Sequence, residues 1–143
     1  MTPQRVTLIT LGVADLARSR AFYQALGWVP AQAQEGIVFY QLKGQVLGLF
    51  GRAALAEDQG RPGVDLGTGA MTLAQNFATE AEVDAAFAAA IEAGAEALKQ
   101  PEKVFWGGYS GYYADPDGHV WEVAMNPFWP LAEDGALTLP VTE

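Results

Sequence analysis

The chain contains no cysteine. Disulfide staples, a thiolate nucleophile and any cysteine-held zinc are excluded at once. That composition points to a cytoplasmic protein. Histidine is almost as scarce, with His119 alone among 143 residues. Positive charge is also short: 8 Lys and Arg stand against 17 Asp and Glu, a net charge of −9. Such a surface repels nucleic acid and anionic membrane, and it attracts cationic small molecules. No apolar stretch approaches the roughly 20 residues that cross a bilayer. The opening MTPQRVTLITLGV lacks the apolar core and cleavage site of a signal peptide.

What is present is a soluble composition rich in turns, half hydrophobic, with 16 glycines and 8 prolines. Val6 to Val13 is β-branched and leans toward alternation, so it predicts a strand. Asp15 can cap the helix that follows, and Leu16, Phe22, Tyr23 and Leu26 supply its apolar stripe before Gly27 stops it. GIVFYQL and QVLGLFG predict two strands joined by a short turn at Lys43-Gly44. From Arg52 to Gly69, glycine, proline and charge are mixed, which reads as a connecting loop.

The order then begins again. AMTLAQNF predicts a strand, and Thr79 with Glu82 forms a capping box. Val83, Phe87 and Ile91 share one helix face, and Gly94 ends that helix. EALKQP, GYSGYYA and HVWEVAM predict three more strands, the last two joined by Asp115-Pro116-Asp117-Gly118. The two caps lie 64 residues apart and the two stops 67 apart. The chain therefore reads β-α-β-β-β twice. The first module covers about residues 4–52, a loop 53–69, the second module about 70–127 and a tail 128–143.

LGVADLARSRAFYQALGW resembles the opening of the vicinal-oxygen-chelate superfamily, which includes glyoxalase I, bleomycin-resistance proteins and extradiol dioxygenases. GGYSGYYADPDGHVWEVAMNPFW resembles the closing strands of a glyoxalase-like bacterial subgroup. The resemblance implies an α+β fold: two βαβββ modules forming a curved, eight-stranded, cup-like sheet with helices on its outer face. It also implies a homodimer. Metal-using members hold a divalent ion in the cup through about four His or Glu side chains. Carried over residue by residue, those positions are Leu8, Gly48, Ala70 and Glu122. Only Glu122 has a donor atom. A metal of this kind needs several convergent donors, so we expect no metal and no cofactor. His119 and Glu122, three apart on a strand, would point to opposite faces. His119 is expected to be a solvated turn residue.

Strand alternation extends the reading. With Glu122 in the cleft between modules, Val120 and Ala124 join it, while Trp121, Val123 and Met125 face the helices. Leu8 and Thr10, Val46, Gly48 and Phe50, and Ala70 and Thr72 face the cleft on their strands. Ile9 and Leu11, Leu47 and Leu49, and Met71 and Leu73 face the core. Trp106 and Tyr109, in the aromatic VFWGGYSGYY, could clamp a planar or cationic ligand. Phe128 and Trp129 read as packing or dimer residues. The ligand-binding set is thus Leu8, Thr10, Gly48, Phe50, Ala70, Thr72, Trp106, Tyr109 and Glu122. The expected function is small-molecule binding without a metal. The alternative is a lyase or isomerase with Glu122 as catalytic acid or base, which a polar partner for Glu122 would favour. A metal-dependent glyoxalase or dioxygenase is disfavoured by Leu8, Gly48 and Ala70.

Overall fold

Leu11 and Val13 are buried while Leu8 stands 44% exposed, so the first strand has an inner and an outer face. The computed structural model describes residues 2–141, which divide into a first unit ending at Thr68 and a second beginning at Gly69. Each unit is a βαβββ module with a four-stranded sheet, and neither sheet is closed. No helix of the described residues is long and apolar enough to cross a membrane.

The first unit contains β1 (Leu8–Val13), α1 (Leu16–Ala25), β2 (Gln32–Gln34), β3 (Ile37–Gln41) and β4 (Val46–Gly51). Its strand order is β1-β4-β3-β2. β1 runs parallel to β4, and the remaining pairs are antiparallel. Asp15 caps α1 by accepting a bond from the Arg18 amide at 3.1 Å. Gly27 then takes a φ of 92°, a value that an L side chain resists. Phe22 and Tyr23 are buried, and so are Leu47, Leu49, Val38 and Tyr40 of the sheet. The Tyr23, Trp28 and Tyr40 rings meet tilted or edge-on in a cluster with centroids 5.4 to 6.1 Å apart.

Two features depart from the sequence reading. The short strand β2 was not located there, because QAQ carries no apolar alternation and its residues are all exposed. The expected loop after β4 also begins with a helix, α2 (Arg52–Asp58). Its Ala-Ala-Leu-Ala run has high helix propensity, and Ala56 is buried. The Leu55 side chain reaches β1, where a Cβ added at Gly12 would sit 3.2 Å from it.

The second unit contains β5 (Thr72–Asn76), α3 (Glu80–Glu92), β6 (Glu96–Lys103), β7 (Tyr109–Ala114) and β8 (Val120–Met125). Its order, β5-β8-β7-β6, repeats that of the first unit, again with one parallel pair at the edge of the sheet, β5 and β8. Thr79 caps α3 as expected, its Oγ1 accepting from the Glu82 amide at 3.2 Å, while the Glu82 carboxylate accepts from the Thr79 hydroxyl at 3.0 Å rather than from its amide. α3 packs on β6, β7 and β8, burying Val83, Phe87 and Ala90 against Tyr113, Trp121 and Val123. Ile91, expected on that face, is 37% exposed, and the smaller Ala90 takes the buried place. The strand expected from Ala70 begins only at Thr72, so Ala70 lies in a bend and Met71 is 52% exposed rather than in the core.

The edge strand β6 contains Pro101 and slips register on either side of Lys99. Proline is tolerated on an edge because no ladder donor is required of it there. The slip pushes backbone toward β7, where a Cβ at Gly111 would lie 2.9 Å from Pro101 N and 3.0 Å from Lys99 O. Gly111→Ala is therefore expected to lower stability by about 1–3 kcal/mol, the usual penalty for overpacking. Urea denaturation should show a lower midpoint with an unchanged slope.

Candidate functional site

Trp121 and Val123 are buried under α3, which turns Glu122 to the opposite face of the second sheet. Register places Glu122 between Ala74 on β5 and Tyr112 on β7. The Tyr112 hydroxyl donates to Glu122 Oε2 at 3.1 Å. Burial, then the Glu122 charge and this bond, hold the Tyr112 phenol above its ordinary pKa, so it remains a donor at neutral pH.

Around Glu122 lies a pocket of about 460 Å³, all of whose lining residues belong to the second unit. Ala74, Glu122 and Ala124 form its floor, with Asn76 at the end of β5. Trp106 walls it from the β6–β7 connection, and Asn126, Phe128 and Trp129 wall it from the segment after β8.

Two local devices build those walls. Asn126 accepts from the Phe128 amide through Oδ1 at 2.9 Å and from the Trp129 amide through its carbonyl at 3.1 Å. This turn fixes both aromatic residues beside the sheet. On the other side, the Trp106 indole lies where a side chain at residue 108 would be, with a hypothetical Cβ only 1.8 Å from it. Gly107 has a φ of 94°, and a Cβ there would come within 3.2 Å of the Phe128 ring. The two glycines thus admit one aromatic side chain each.

Of the expected ligand-binding set, only Trp106 and Glu122 meet in this pocket, together with Ala124, which was expected on the same face. Leu8 lines a different pocket of about 290 Å³ on the first unit, with Phe39 and Val46. Thr10 and Phe50 share that sheet face but do not line it, and Gly48 is buried under the Phe39 ring, 3.2 Å from where a Cβ would sit. Thr72 begins β5 and is exposed, and Ala70 precedes the strand altogether. Tyr109 is a further correction. It alternates onto the helix side, where its hydroxyl donates to Asp84 of α3 at 2.6 Å. Phe128 and Trp129, expected as packing or dimer residues, line the pocket. The missed members Ala74 and Asn76 lie two and four residues beyond Thr72, where one and two more steps of the same alternation find them. His119 sits in the turn before β8, half-buried rather than solvated, its amide donating to Asp115 Oδ1 at 2.9 Å.

The profile of the glyoxalase/bleomycin resistance protein/dioxygenase superfamily matches residues 5–123. The chain belongs to that superfamily. A crystal structure of a glyoxalase-related enzyme from Fulvimarina pelagi is 41% identical, with a TM-score of 0.90 over 97% of this chain and 100% of that one. A lactoylglutathione lyase from Agrobacterium tumefaciens, 23% identical, superposes with a TM-score of 0.70 over 92% of this chain and 100% of its own. A superfamily member from Nocardioides, also 23% identical, gives 0.73 over 87% of this chain and 85% of its own. These last two share the fold. No curated protein matches the chain.

The superfamily's metal-using members raise the question of an ion here. Leu8, Gly48 and Ala70 offer no donor atom, and Phe39 fills the space above Gly48. Among the described residues no group of three or more His, Cys, Asp or Glu is placed to hold a metal. Of the four carried-over residues only Glu122 brings a donor, which does not fit a metal held by protein ligands.

The Tyr109–Asp84 bond gives a pH prediction. The bond, helped by burial and the charges of Asp84 and Glu80, pushes the Tyr109 phenol from 10.0 up to about 12. Between those values the folded chain holds the proton that the unfolded chain has lost, so stability falls as pH rises. The bond's contribution is complete below pH about 10 and gone above about 12. Ultraviolet titration should show a phenol ionising near 12 that disappears in Tyr109→Phe.

Proposed function

We propose that the chain binds a small organic molecule in the pocket over Glu122 and does so without a resident metal. The observation that carries this reading is a single carboxylate on the floor of a pocket walled by Trp106, Phe128 and Trp129. A volume of about 460 Å³ and a mostly apolar lining with a few placed polar groups are the usual make-up of a small-molecule site. The superfamily resemblance further supports a homodimer, and the cysteine-free composition a cytoplasmic one.

The Tyr112–Glu122 bond favours a second reading, a lyase or isomerase in which Glu122 moves a proton on the ligand. The 41% identical relative is described as an enzyme, which supports it too. Tyr112 would then hold the carboxylate in place while the other oxygen reaches the substrate.

A fragment screen followed by the four indole N–H signals tests the first reading. Fragments should move Trp106 and Trp129 and leave Trp28 and Trp121 still, and a screen that moves neither wall residue would sink it. Protein purified without chelator should carry far less than one equivalent of nickel, zinc or iron. A near-stoichiometric metal that is lost in Glu122→Ala would overturn the metal-free part. Deuterium uptake from heavy water into a bound ligand's carbon, abolished in Glu122→Gln, would decide for the enzyme.

A further inference from the structure

We infer that the pocket over Glu122 selects an ammonium group carried on a flat apolar body, such as an arylalkylamine. This rests on the reading that the pocket binds small molecules and adds the ligand's charge and shape. Tyr112 occupies Glu122 Oε2, and no donor among the described residues is recorded at Oε1. Among the described residues lining the pocket there is no Lys, Arg or His, so the chain supplies no counter-charge there. Glu122 is half-buried on an otherwise uncharged pocket floor, where an ion-paired donor is a stronger partner for the carboxylate than water. An ammonium supplies both the charge and the N–H bonds. A neutral alcohol supplies a weaker bond, and a carboxylate ligand would meet like charge.

The walls agree with this assignment. Trp106, Phe128 and Trp129 are 37%, 65% and 41% exposed, leaving ring surface open for a flat body or a cation. A cation over an aromatic face gains from the ring's quadrupole. The Asn76 side-chain amide also lines the pocket, and its oxygen can accept a second N–H. The net charge of −9 raises the local concentration of cations.

Three soluble probes of nearly one shape separate the terms: 2-phenylethylammonium, 2-phenylethanol and 3-phenylpropionate. Each is titrated into the full chain while the Trp106 and Trp129 indole N–H signals are followed, with Trp28 and Trp121 as controls. The ammonium should bind more tightly than the alcohol by roughly tenfold or more, as expected for a bond to a charged acceptor. The carboxylate should bind more weakly than either. Glu122→Gln should abolish that preference, lowering the ammonium's affinity far more than the alcohol's, since the aromatic walls are untouched. The preference in the unaltered chain stands even if the variant fails to fold. Equal or tighter binding of the alcohol or the carboxylate overturns the charge assignment while leaving the pocket a binding site. Silence from all three probes also overturns it, and the binding reading itself falls only if the wider fragment screen is silent as well.

Discussion

Two residues under a helix decide where the chemistry of this chain can lie. Trp121 and Val123 are buried against α3, and strand geometry then leaves the residue between them no choice of side. Sliding β8 by one position would put a carboxylate into the helix-packed core and two apolar groups into water. Each buried Val or Trp side chain is worth about 1.5–3 kcal/mol or more, and an unpaired buried carboxylate is strongly unfavourable. The hydrophobic term therefore locks the register, and the register presents Glu122. Everything in the pocket, from the Tyr112 bond to the aromatic walls, is arranged around a position fixed from the other side of the sheet.

The two units answer one geometric question in different ways. In the first, Gly48 lies between Thr10 on its parallel neighbour and Phe39 on its antiparallel one. In the second, Glu122 lies between Ala74 and Tyr112 in the same pairing. The equivalent pairs are thus Gly48 with Phe39 and Glu122 with Tyr112. Phenylalanine covers a bare backbone where tyrosine donates to a carboxylate. A single hydroxyl and a single carboxyl separate a closed hydrophobic position from a chemical one.

The repeat, the helix caps and the inward face of β8 were legible in the sequence because each rests on short-range rules. Asp15, Thr79, Gly27 and Gly94 mark helix ends by local hydrogen bonding and backbone freedom. Alternation was enough to put Glu122 on the sheet face opposite α3. It failed for Ala70 because it carries no information about where a strand begins. Tyr109 was misplaced because aromatic clustering says nothing of side, although its parity with Tyr113 did. β2 was invisible, since three exposed polar residues pair through backbone alone. The pocket walls were the hardest to see. They depend on how two connections fold over a sheet, which no periodicity encodes.

The contact between Trp106 and Gly108 has a consequence for how such a pocket can diverge. Its width is governed by a residue that does not line it. Any side chain at 108 would displace the indole, since its Cβ would lie 1.8 Å from the ring. The change would remove a wall without touching a wall residue. Descendants of this chain could thus exchange a narrow, aromatic-sided mouth for a broad one in a single step. The sheet, its register and the carboxylate on its floor would be carried through unchanged.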